Sequence, residues 1–210
     1  ANLEKAHLRD AKLSEANLKK ANLKDADLRY ANLMKADLEE ANLKEANLRQ
    51  ANFMKANLRG AILTGCNLTE AFVRGANLSN AILCDAKLIE ADFKKSKLRK
   101  ADLSKADLRR TNLRHADLSG ALLVDADLTG ADLTNAKLRG ADLTGANLTD
   151  ANFTGTDTRE LKDDRRWLCI TTGPFFRPRH HTNLCSQLPG RIGSLWPAHQ
   201  DRLLFDQIIT

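Results

Sequence analysis

Alanine and leucine recur along most of the chain with a period of five: ANLEK, AHLRD, AKLSE, ANLKK and onward, without insertion or deletion, to ANFTG at residues 151–155, thirty-one repeats in all. The first position is Ala except at Cys66, Ser96 and Thr111, and the third is Leu except at Phe53, Val73, Phe93 and Phe153. An α-helix advances by about 100° per residue, so a Leu every five residues would scatter around the cylinder. A continuous strand fails as well, because an odd period sends successive Leu side chains to opposite faces. The chain must therefore turn once in every repeat. Positions one and three then share the inward side, while position two, Asn or Asp in twenty-two of the thirty-one repeats, points outward.

Position five supports the turn independently. All eight glycines of the repeats lie there, and neither proline nor a β-branched residue does. This is the chemistry a type II turn asks of its third residue, where φ is positive. The exceptions at position three set the size of a coil: Phe53, Val73 and Phe93 follow one another at steps of twenty, and Phe153 lies on the same series. Large residues stacked coil on coil relieve one another's misfit, so these four form a structural core column. The pattern predicts an all-β solenoid, a square β-helix with four five-residue sides per coil. About eight coils over residues 1–155 make a rod roughly 37 Å long at the usual strand spacing of about 4.8 Å. Residues 156–210 are expected to form a separate cap or tail, partly helical or disordered.

Composition changes this picture little. Aromatics are only 5% of the chain, so Ala and Leu ladders must fill the interior. The formal charge is +6 and the pI about 9.2, a bias toward acidic partners without naming one. The four cysteines contain no CxxC pair, which argues for a reduced, cytoplasmic setting rather than a disulfide framework. No window approaches a membrane span.

Thirty-one in-phase A(D/N)LXX units resemble the pentapeptide-repeat proteins, abundant in cyanobacteria and present elsewhere. The resemblance covers residues 1–155 and implies a right-handed quadrilateral β-helix. It implies little about activity, although one branch of the family protects DNA gyrase by imitating duplex DNA and dimerises through its C-terminal end. That branch carries a strongly negative surface. Here residues 86–115 hold ten Lys or Arg (Lys87, Lys94, Lys95, Lys97, Arg99, Lys100, Lys105, Arg109, Arg110 and Arg114) against four acids, which opposes DNA mimicry. As a nucleic-acid site this basic belt is weak: its charges fall on all four sides, with no interleaved aromatic platform for base stacking.

Ile62, Ile82 and Leu122 put apolar side chains at the outward second position, all on one side by the twenty-residue count. Three readings stand side by side for them: contact with a partner or a second copy, cover by the C-terminal tail, or tolerated exposed aliphatics. Phe72 is apolar at the same position on the opposite side. Threonines at position four, Thr129, Thr134, Thr144, Thr149 and Thr154, fall on three sides and are read as turn residues rather than an ice-binding lattice.

Past Gly155 the period dissolves, and all four prolines and both tryptophans follow. Leu161, Trp167 and Leu168 stand near helical spacing and are candidates for a cap over the last coil. Leu203, Leu204, Phe205, Ile208 and Ile209 are candidates for packing on that cap or for joining two rods in a homodimer. Cys169, His180, His181 and Cys185 have ligand chemistry without an established zinc spacing, so no metal, cofactor or catalytic residue is expected. The sequence points to a non-enzymatic scaffold that presents a rigid surface to an unidentified protein partner. Neither a membrane nor a nucleic acid is the expected partner.

Overall fold

The structure, a computed structural model, describes residues 1–163. Its register is set by parallel bridges that join each second-position residue to the one twenty residues on, from Asn2↔Asn22 to Asp142↔Lys162. Four repeats therefore close one coil. We number the sides from the chain start: side one carries Asn2, Asn22, Asn42, Ile62, Ile82, Asp102, Leu122, Asp142 and Lys162 in one column. Sides two, three and four begin at His7, Lys12 and Asn17. Each side is too short for a regular strand, and its pairing is a single bridge between two turns.

The turns follow from local chemistry. In each repeat the amide of the following position one donates back to the position-three carbonyl, as in Ala26 to Leu23 at 3.1 Å. Position five has positive φ throughout, from Lys5 at 57° to Glu160 at 57°, the left-handed conformation required at the third residue of such a turn. A side chain with a Cβ costs about 1 kcal/mol or more there, which accounts for glycines such as Gly140 (φ +65°), whose missing Cβ would otherwise point into open space.

Most of the remaining amides are also paired. At Asn42 the amide donates to Ala21 at 2.9 Å, and its carbonyl accepts from Leu23 at 2.7 Å, so position two is stitched to the preceding rung by both of its backbone groups. The position-five amide of Glu45 donates to the Thr64 carbonyl of the next coil at 2.9 Å. Only the position-four amide is left without a backbone acceptor, and the side chain at position two supplies it. Asn42 Oδ1 accepts from the Lys44 amide at 3.1 Å, and Asp132 Oδ1 from the Thr134 amide at 2.9 Å. Every one of the twenty-two Asn or Asp residues at position two makes this bond. The Asx preference is thus a cap for an otherwise unpaired amide, and more than outward polarity.

Inside, Ala at position one and Leu at position three are buried from Leu18 to Ala151. A buried Leu is worth about 1.5–3 kcal/mol, so the ladders hold the tube without cross-links. Phe53, Val73 and Phe93 are at most 1% exposed, and the smaller Val sits between the two rings on side three. Phe153 is only partly buried at the last rungs.

The coil geometry also runs past Gly155. The Thr156 amide donates to Phe153 and its hydroxyl to the Leu133 carbonyl at 2.9 Å. Asp157 caps Arg159, and Leu161 packs against the core at an inward first position. Residues 158–162 are therefore β-solenoid and do not start a helix, which corrects the expected helical register of Leu161 with Trp167 and Leu168. Thr and Leu replace Ala at these two first positions, which hides the period. Trp167, Leu168, Leu203, Leu204, Phe205, Ile208 and Ile209 lie outside the described residues, as do Cys169, His180, His181 and Cys185.

Candidate interaction surface

With the interior filled by ladders, the chemistry of the described residues lies in the outward columns at positions two, four and five. On side one Ile62 and Ile82 are bridged neighbours, 37% and 40% exposed. Leu122, 43% exposed, is separated from them by Asp102. An aliphatic side chain at position two cannot accept from the amide two residues on, so Thr64, Cys84 and Val124 have no Asx cap. At these three positions an exposed aliphatic side chain stands where most repeats have the cap.

Cys84 stands at position four beside this column. Partial burial, followed by its hydrogen bond to Asp102 on the next rung, pushes its thiol up to about 11. Cys66 is fully buried at an inward first position, and burial raises its thiol further. Both are free, and neither is an activated nucleophile.

The late threonines act as turn residues. The hydroxyls of Thr144, Thr149 and Thr154 donate to Asp142, Asn147 and Asn152 at 2.6, 2.8 and 2.7 Å, the same oxygens that cap their amides. Among the described residues no group of three or more His, Cys, Asp or Glu is arranged to hold a metal, and no helix is long and apolar enough to cross a membrane.

Charge sorts by side in a way that reading along the chain conceals. The basic belt of residues 86–115 is distributed over the coil: Lys87, Arg109 and Arg110 on side two, Lys97, Arg99 and Lys100 on side four, and Lys105 on side one. Its other three members, Lys94, Lys95 and Arg114, join Lys35, Lys55 and Arg74 on side three. Over residues 21–120 side three holds these six cations against Asp92 alone, a net +5. The other three sides carry −1, +1 and 0. The same side carries Phe72, half exposed, and both methionines of the chain, Met34 and Met54. These residues are 18 to 21 apart in sequence, so only column-wise counting brings them together.

The comparisons agree with this geometry. The pentapeptide-repeats family model matches in eight copies at residues 1–29, 31–69, 61–99, 86–123 and 126–157. No curated protein matches the sequence. Among solved structures, the pentapeptide repeat protein Rfr23 from the cyanobacterium Cyanothece 51142 is 39% identical over 47% of this chain and 64% of its own, with a TM-score of 0.42. This chain thus spans just under two thirds of Rfr23. A pentapeptide repeat protein from the Arabidopsis thaliana thylakoid lumen is 34% identical over 45% of this chain and 66% of its own, with a TM-score of 0.44. QnrB1, a plasmid-mediated fluoroquinolone resistance protein, is 19% identical over 81% of this chain and 90% of its own, with a TM-score of 0.53, a likeness of fold. With the family model covering most of the described residues and the twenty-residue register visible in the bridges, the chain belongs to the pentapeptide-repeat family and has its right-handed quadrilateral β-helix fold.

Proposed function

We propose that this chain is a non-enzymatic protein-binding scaffold whose partner docks on side one, over Ile62, Ile82 and Leu122. One observation carries the reading: at these three positions an exposed aliphatic side chain replaces the Asx cap that most repeats keep. Such a cap is worth about 1 kcal/mol, and exposing an aliphatic side chain returns nothing to the isolated rod. A partner surface returns it. The lattice suits the task, because amides bonded coil to coil hold the outward side chains at fixed spacing, so little ordering entropy is lost on binding.

In this reading the solenoid comprises about eight coils. Free thiols at Cys66 and Cys84 fit a reduced, cytoplasmic setting. The alternative that the family resemblance implies, imitation of DNA toward gyrase, calls for an acidic surface, and side three is cationic.

Quantitative recovery of partners from the source cell tests the proposal, with wild-type chain compared with Ile82→Lys and with Lys97→Glu on side four. A specific protein retained by wild type and Lys97→Glu but lost with Ile82→Lys is the expected result. Equal recovery by all three overturns side one as the docking site.

A further inference from the structure

Side three is built differently from the others. Lys35, Lys55, Lys95 and His115 share its position-five column, interrupted only by Gly75, and Arg74, Lys94 and Arg114 occupy the adjacent position-four column. They span five successive coils, about 19 Å at the interstrand spacing. Lys35 pairs with Glu15 at 2.7 Å, Arg74 with Asp92, and Arg114 with Asp132 at 3.5 Å. Lys55, Lys94 and Lys95 have no ion pair among the described residues. Met34 and Met54 stand at position four on the two coils before Arg74, and Phe72, 50% exposed, lies at position two of the Arg74 repeat. The face therefore combines uncompensated cations with an aromatic and two methionines, side chains that adapt to an apolar ligand.

The geometry points to side three as a docking face for an acidic, partly apolar segment of a partner protein; this rests on the protein-binding reading above and adds a second face to it. Charge complementarity selects the occupant. A second copy of the chain offers a poor match: its other three sides are within one charge of neutral over the same coils, and Glu39 and Glu40 of side four are already paired with Lys19, Arg59 and Lys20. The chain's own residues 164–210 do not match either: they carry six Lys or Arg against three Asp or Glu. Single-stranded nucleic acid engages a succession of aromatic platforms along a positive track. Here one aromatic stands alone, with Asp92 on the next rung of its column and methionines beside it. Carboxylates along the two cationic columns, with an apolar residue against Phe72 and Met54, satisfy every feature of the face.

Fluorescence anisotropy on the full chain tests this, with three labelled probes: a Glu/Leu-alternating dodecapeptide, its Lys/Leu counterpart, and a dT20 oligonucleotide. The Glu/Leu peptide is expected to bind and to weaken with salt. Its affinity should fall about tenfold or more in a Lys55→Glu, Lys94→Glu, Lys95→Glu variant, severalfold in Phe72→Ser, and little in a Lys97→Glu, Lys100→Glu variant of side four. All these residues face outward, and the circular dichroism of each variant confirms the intact rod. Absence of Glu/Leu binding, equal loss in the side-four variant, or tighter binding of dT20 lost through the same three lysines each overturns the proposal. Any of these leaves the side-one reading standing, since that rests on Ile82→Lys.

Discussion

Thr111 donates its hydroxyl to the Leu88 carbonyl of the preceding coil at 3.0 Å, whereas the buried hydroxyl of Ser96, at the same inward position three repeats earlier, has no partner. Both occupy the site that is Ala in nearly every other repeat, so the wall tolerates a hydroxyl there and only one of the two is satisfied. A buried, unpaired hydroxyl costs about 1–3 kcal/mol. Ser96→Ala should therefore stabilise the rod by about 1 kcal/mol, and Thr111→Val should destabilise it by a similar amount. Urea denaturation midpoints measure both, and a lower midpoint for Ser96→Ala would show that its hydroxyl has a partner after all.

The Asx cap gives a second expectation, in which stability and function separate. Asp132→Ala leaves the Thr134 amide and hydroxyl without their acceptor and should cost about 1 kcal/mol. Ile82→Asn installs a cap for the Cys84 amide and removes an exposed aliphatic, so it should raise the denaturation midpoint while abolishing partner recovery. A neutral or lower midpoint would mean that Ile82 stabilises the isolated rod by packing on Ile62.

Much of this architecture is legible in the residues. The period of five, the turn at position five and the series Phe53, Val73, Phe93 lead to four sides per coil from the sequence alone. Three things are hidden, for physical reasons. Thr156 and Leu161 occupy inward first positions that are Ala in nearly every other repeat, so the repeat appears to stop at Gly155 while the bonds of Thr156 continue it. Side three is invisible to a window moved along the chain, because Lys35, Lys55, Arg74, Lys94 and Arg114 become neighbours only when the coils stack. Position two reads as merely polar in sequence, and its role appears once the position-four amide is seen to lack a backbone acceptor.

The raised thiol of Cys84 predicts a pH dependence. An ordinary thiol is half ionised near pH 8.5, whereas Cys84, held at about 11 by burial and by Asp102, remains almost wholly protonated there. The thiolate is the reactive form, so alkylation of native Cys84 by iodoacetamide should be slow at pH 8.5 and rise nearly tenfold per pH unit toward pH 11. Asp102→Asn removes a carboxylate that disfavours the thiolate, and should move this rise to lower pH. Cys66, fully buried, should react only after unfolding. Rapid, pH-independent labelling of Cys84 would contradict its placement beside Asp102.

A rod with four chemically unequal sides should bind protein through two of them. A photo-crosslinking amino acid placed in turn at Ile82, Lys87, Asp92 and Lys97 samples sides one to four of a single coil. Irradiation in the source cell should capture proteins from positions 82 and 92 and little from 87 and 97. Equal capture from all four positions, or capture confined to 87 and 97, would contradict the claim.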